Sequence, residues 1–385
     1  MDKQKWDEYW QRMRRPLGYF FSGMLVMLVA VFALFWKFTG RPDAAFEFLR
    51  TLEIVEDHYA ENVDKSTLFQ GALAGIVNTL GDKHSLYLGG ETFKDFSSEM
   101  SGTYAGIGVY IASTDEGILV AGVMEGSPAE EAGLQRGDIF VSINGTSTQG
   151  MKLEDVSKAI RGEEGTSVDL VIRRDGQEQD MTIQRREIHI PTVAGKMIDG
   201  TDVGYIRVAV FSDGTADDFT KEYQKLRSQG MKKMILDLRD NPGGIVQQAV
   251  GVASNFVPKN STIVSYTEQD GHEDTYTAPG TDDLIPMVVL VNENSASASE
   301  IVAGAVQDLQ LGTIVGVKTY GKGTVQGVFP VSKDSAVKVT VAKYKTSSGR
   351  EIDGVGIEPD VVVPLNASDP TDVQFEKALE IISQK

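Results

Sequence analysis

Residues 287–310 read MVVLVNENSASASEIVAGAVQDLQ, and the order of residue types in this stretch decides the architecture. It opens with an unbroken apolar run of strand length, continues as a turn rich in serine and alanine, and closes with apolar residues at helical spacing. The same order occurs upstream: KKMILDLR (232–239) reads as a buried strand, NPGG (241–244) as a turn and IVQQAVGVASNFV (245–257) as a helix. Two strand-turn-helix units in succession predict a largely parallel sheet with helical crossovers. Functional groups in such sheets gather where strands end and helices begin, which directs attention to the two turns.

The chain has 385 residues, enough for two or three domains. It has no cysteine, so disulfides, zinc thiolate sites and a cysteine nucleophile are excluded. A net charge of -18 argues against a nucleic-acid surface, which needs clustered Lys and Arg. Near the N-terminus, LGYFFSGMLVMLVAVFALFW (17–36) carries no charged residue and has about the length a helix needs to cross a bilayer. Lys3, Lys5, Arg12, Arg14 and Arg15 precede it. This bias predicts a single-pass anchor with its N-terminus in the cytoplasm and the rest of the chain outside. The run ends in FWKFTG rather than in a small-residue cleavage site, which favours an anchor over a removed signal peptide.

Beyond the anchor, Phe46, Leu49, Leu52, Val55 and Tyr59 recur at helical spacing, and a second helical run spans 68–80. From Thr103 the pattern becomes short apolar strands broken by glycine and aspartate turns. TYAGIGVYI (103–111) and GILVAGVMEGSPAEEAGLQRGDIFVSING (117–145) resemble a bacterial PDZ domain, with a helix over 153–161 and a closing strand over 167–174. The resemblance implies that a peptide end pairs with the strand edge at 109–111. The backbone of Gly106, Ile107, Gly108 and Val109 would hold its terminal carboxylate. The ligand implied is a free, apolar C-terminus.

Serine is a poor nucleophile without a base and a stabilised oxyanion. The four histidines, at 58, 84, 189 and 272, fit no triad signature. A lysine of lowered pKa could replace them. Bringing a lysine from about 10.4 to about 7–8 costs roughly 4 kcal/mol, so such a site must be dry. Lys322, between Gly321 and Gly323 and just after an apolar strand, is the candidate, with Gln326 four residues on.

Taken together, NENSASASEIVAG, GKGTVQ, LDLRDNPGG, GYIRV, SSGREIDGVGIEPD and the upstream PDZ pattern resemble the carboxy-terminal processing (tail-specific) proteases over about 46–363. That resemblance implies Ser297 as nucleophile, Lys322 as general base and Gln326 as the group orienting its amine. Ser297 would stand at the start of a helix, where free N–H groups favour negative charge. The Ala298 N–H is then the natural first oxyanion donor. The second should come from the Gly243–Gly244 turn, Gly243 being favoured by resemblance. Ser295 and Ser299 read as turn and helix-cap groups. Glu300 is expected to support the lysine through a hydrogen bond, and Arg161 is a candidate for reporting peptide binding to the active site. DKHS (82–85) departs from the family's usual Asp-Pro-His-Ser at Lys83, with His84 read as structural.

The predicted fold class is thus α/β multidomain. Residues 1–40 form the cytoplasmic N-terminus and transmembrane anchor, 41–97 a small helical unit, 98–188 a mostly-β PDZ domain, and 189–385 a crotonase/Clp-like α/β catalytic core with the C-terminal region. The predicted activity is that of a membrane-anchored serine endopeptidase on the outer face of a cytoplasmic membrane, acting on the C-termini of exported proteins. No metal or cofactor is implied; homodimers and an activating partner are expected by resemblance. Ser335 and Lys338 form an S-x-x-K match, but the alternation of AVKVTVAKY (336–344) reads as a strand, and the companion Ser-Asp-Asn and Lys-Thr-Gly elements are missing. A trypsin-like PDZ protease would need Gly-Asn-Ser-Gly-Gly and a triad histidine. A crotonase-class acyl-CoA enzyme fits poorly with export and a PDZ module. The alternative from another class is a membrane-tethered PDZ scaffold that binds C-termini without cutting.

Overall fold

The computed structural model describes residues 19–27, 29–33, 36–37, 40–41, 43–365, 369 and 371–385. Two compact units divide at residue 80. In the first, helices span Ala44–His58 and Lys65–Asn78, in agreement with the periodic runs read from the sequence. Asp64 caps the second by accepting the Thr67 N–H at 3.2 Å. The apolar run 17–36 lies partly outside the described residues; among the described residues no helix is long and apolar enough to cross a membrane.

The second unit contains the core sheet. Its strands run in the order Val193–Met197, Val203–Val208, Lys233–Asp237, Met287–Val291, Gly312–Gly316 and Val361–Val362. The first pair is antiparallel and the rest are parallel, as the two strand-turn-helix units predict. All five residues of Met287–Val291 are buried because both faces of the strand are covered. Val289 and Val291 pack with Phe256, Ile301 and Val302 of the helical layer, whereas Val288 and Leu290 pack against Ala378 and Ile382 of the C-terminal helix Val373–Ser383. A side-chain period of two thus gives each face its own layer.

A second, antiparallel sheet lies beside this layer, in the order Leu86–Gly89, Ser335–Thr346, Thr262–Glu268 and Glu273–Thr277, with Thr324–Ser332 also paired to Ser335–Thr346. The sequence reading anticipated the Ser335–Thr346 strand but not the hairpin at 262–277.

Within 103–186 the strands Val109–Thr114, Gly117–Val123, Ile139–Ile143, Ser167–Arg174 and Gln177–Gln184 form one sheet, with a helix at Leu153–Ile160. Val109–Thr114 is an edge strand, as expected. Ser167–Arg174 does not close the module, because Gln177–Gln184 pairs with it along its whole length. The polar face of that last strand hid it from an apolar count.

Candidate active site

Ser297 is the N-cap of the helix Ala298–Asp308 and has φ +53°, a left-handed backbone rare for a residue with a side chain. The surroundings over-determine this conformation. Ser295 Oγ donates to Leu238 O at 2.8 Å, Ala296 N donates to Asn241 O at 3.1 Å, and Ser299 Oγ donates to the same carbonyl at 2.9 Å. The two turns found in the sequence are therefore stitched together. Ser299 is a cross-link between them and not the helix cap expected for it; the cap is Ser297.

Gly243 packs directly behind the serine. A Cβ there would lie 2.7 Å from Ser297 Cβ and 2.6 Å from Ala296 O, and its φ is +99°. Its N–H donates to Asn241 Oδ1 at 2.9 Å. The glycine makes the close approach, and its N–H, which the resemblance implies as the second oxyanion donor, is engaged by the Asn241 side chain in this structure. No partner for the Ala298 N–H is found among the described residues.

Glu300 is buried and accepts four hydrogen bonds: from Ser297 N (2.8 Å), Lys322 N (2.9 Å), Gly321 N (2.7 Å) and Thr319 Oγ1 (2.6 Å). It supports Lys322 as the sequence suggested, but through the backbone of the loop and not through the ammonium. The flanking glycines let this loop press against 353–356: a Cβ on Gly323 would meet Asp353 N at 2.5 Å, and one on Gly321 would meet Gly356 N at 3.0 Å.

Ser297, Lys322, Gln326 and Gly243 share the wall of one cavity of about 500 Å³ with Lys338 and Tyr344. The Lys322 ammonium is held below the ordinary lysine value, first by burial and then by the positive charge of Lys338, while Glu300 and Asp82 pull the other way. Gln326 does not bond to Lys322. Its Nε2 donates to Thr324 Oγ1 at 2.8 Å and to Thr340 Oγ1 at 3.3 Å.

Several members of the site were missed by sequence reasoning. Thr340 Oγ1 and Ser85 Oγ each donate to Asp82 Oδ2 at 2.6 Å, so DKHS anchors the strand that carries Gln326's partner. Those hydrogen bonds, Ser85's first, lower the Asp82 carboxyl to about 2. His84 is pushed below its usual value by burial and then by Lys322, so it stands near the site without joining it. The buried Tyr344 donates to Ser297 O at 3.1 Å. Only the DKHS motif gave a signal in the sequence; the rest depend on pairings between distant strands.

In the 103–186 module, Gly108 has φ +80° and lies against Ser127, where a Cβ would meet Ser127 Cβ at 2.4 Å. The Ile107 side chain is buried in the module's core, so only its backbone is available to a ligand. Gly106 ends the strand Thr103–Gly106, and Val109 begins the edge strand. A small groove beside them is lined by Tyr104, Gly108, Val109, Ile111, Ile160 and Arg161. The Arg161 guanidinium sits 4.8 Å from the Tyr104 ring centroid.

The family model described as Peptidase family S41 matches residues 202–363, the PDZ domain model 119–174, and the Activating protease CtpB N-terminal domain model 45–92. The chain is 34% identical over 349 residues to the carboxy-terminal processing protease CtpB of Bacillus subtilis, covering 87% of this chain and 73% of that protein. It is 35% identical over 367 residues to CtpA of the same organism, covering 92% and 78%. The solved structure of a photosystem II D1 C-terminal processing protease covers 86% of this chain and 90% of its own, with 29% identity and a TM-score of 0.47. A scaffold without catalysis is not favoured by these relatives. The chain belongs to the carboxy-terminal processing proteases, serine-type peptidases of family S41 that carry a PDZ domain.

Proposed function

We propose that this peptidase is a membrane-anchored endopeptidase with a Ser297–Lys322 dyad, which captures free C-termini of exported proteins in its PDZ domain and cleaves them. The observation that carries the reading is the convergence of Ser297, Lys322 and Gln326 on one cavity, with Lys322 desolvated and its ammonium destabilised. Ser297 Oγ attacks the scissile carbonyl carbon as Lys322 Nζ takes its proton. The oxyanion forms beside the Ala298 N–H, and the Gly243 N–H joins when Asn241 Oδ1 releases it. Lys322 then protonates the leaving amine as the C–N bond breaks. Water attacks the remaining ester as Lys322 takes its proton, and Lys322 returns that proton to Ser297 Oγ as the bond from Oγ to the acyl carbon breaks and the new C-terminus leaves. Glu300 holds the loop that carries Lys322, and Gln326 holds the strand Thr324–Ser332 that follows it.

The uncharged run at 17–36, preceded by basic residues, supports the anchor and the placement of the catalytic part outside the cytoplasm. We place homodimer contacts in the N- and C-terminal regions and docking of an activating partner on 45–92. To test the chemistry, the full chain is mixed with a peptide substrate, quenched in acid and digested for mass spectrometry. An ester adduct on the peptide containing Ser297, absent from Ser297→Ala, is expected. An adduct on another residue that persists in Ser297→Ala would overturn the dyad.

A further inference from the structure

The cavity beside Ser297 has a second cation on its wall. Lys338 belongs to the strand Ser335–Thr346, two residues before Thr340, which receives Gln326, and six before Tyr344, which binds Ser297 O. Lys338, Val341 and Tyr344 of this strand line the cavity, and a register shift opposite Val325 and Gln326 breaks the simple alternation between them. The Lys338 side chain is half-buried, its Nζ lies 5.3 Å from the Phe96 ring centroid, and no carboxylate pairs with it among the described residues. An aromatic face steadies an ammonium without cancelling its charge.

We propose that Lys338 is a positioning residue for the dyad: its uncancelled positive charge in the shared cavity favours the neutral amine of Lys322, the form that can take a proton from Ser297. This inference rests on the dyad reading above. A desolvated lysine next to another cation is one of the recognised ways to prepare a basic amine near neutral pH. The other charged groups around Lys322 are Glu300 on the helix Ala298–Asp308 and Asp82 ahead of the strand Leu86–Gly89, both of which stabilise its ammonium. His84 is affected by Lys322 in turn. Burial lowers the Lys338 ammonium as well, but Glu99, on the helix Glu91–Ser101 over the same cavity, opposes that shift, and no repulsion from a second cation adds to it as Lys338 adds to the burial of Lys322. Glu300 is saturated by backbone N–H groups and a hydroxyl, while Lys322 has no carboxylate within ion-pair distance among the described residues. Lys322 is therefore the lysine that gives up its proton, and Lys338 keeps its own.

The test reads Lys322 directly in the full chain. Lysines are reductively methylated with 13C, the Lys322 resonance is assigned by its loss in Lys322→Arg, and its titration is followed in the parent, in Lys338→Met and in Lys338→Arg. The expected result is a Lys322 midpoint raised by about one pH unit in Lys338→Met and unchanged in Lys338→Arg, as like-charge repulsion requires. The acid limb of kcat/KM should move by the same amount in the same direction. An unchanged midpoint in folded Lys338→Met, or an equal shift in Lys338→Arg, would overturn the inference. The dyad reading fails separately, if Ser297→Ala still cleaves, whatever Lys322 titrates to.

Discussion

Ser297 and Lys322 hang from the same oxygen: Glu300 Oε2 accepts the serine N–H at 2.8 Å and the lysine N–H at 2.9 Å. The distance between the two functional residues is thereby set by a buried carboxylate that touches neither of their reactive atoms. Its other oxygen takes Gly321 N and Thr319 Oγ1, so the whole GKG loop is referenced to the start of the helix.

Replacing Glu300 by alanine leaves buried N–H groups without an acceptor, at a cost of about 2–4 kcal/mol. Urea unfolding should show this loss. Glu300→Gln should fold better but still lose most of kcat, because its amide turns a donor toward a donor. Comparing kcat in the two variants with their unfolding midpoints separates positioning from stability.

Gly243→Ala puts a methyl group onto Ser297 and a side chain onto a backbone at φ +99°. The expected result is a fall of about 10²-fold in kcat with KM little changed, the size typical of losing one oxyanion contact. Steady-state kinetics on a soluble peptide checks it; an unchanged kcat would remove Gly243 from the site.

Asp82 is a carboxylate with a folded value of about 2, so it is a constant anion through the working pH range. Its charge stabilises the Lys322 ammonium, and the neutral variant Asp82→Asn should lower the Lys322 value and move the acid limb of kcat/KM to lower pH. The direction is opposite to that of Lys338→Met. Loss of Asp82 also frees Thr340, so kcat on the plateau should fall as Gln326 loses its anchor.

The parallel core was legible because the apolar runs at 287–291 and 234–236 are short and each is followed by a turn and a helix, the order that parallel strands with helical crossovers require. The same pattern marked the serine-rich turn where strand gives way to helix, but the choice of Ser297 over Ser295 and Ser299 came from the family resemblance. The contact of Asp82 with Thr340 was not legible, since it joins residues far apart in sequence through an antiparallel sheet that includes the unforeseen 262–277 hairpin. Lys338 was read correctly as a strand residue, but alternation alone does not say which face of a strand meets a cavity. The engagement of the Gly243 N–H by Asn241 was hidden because a local side-chain turn competes with the oxyanion geometry.

For the PDZ module, binding should depend on a free carboxylate near Gly108 and on the edge strand starting at Val109. An apolar peptide with a free C-terminus should bind at least about 10-fold more tightly than its amide, the worth of roughly one charge-assisted hydrogen bond. Fluorescence anisotropy with both peptides decides this, and equal affinities would remove the carboxylate from recognition.

The most direct measurement is cleavage of an unstructured protein with an apolar free C-terminus by the full chain in detergent, beside Ser297→Ala and Lys322→Ala, with circular dichroism confirming that all three are folded. The parent should cut, and both variants should be silent. Cleavage that persists in Ser297→Ala would contradict the account, because the hydroxyl at the start of the Ala298 helix would then not be the nucleophile.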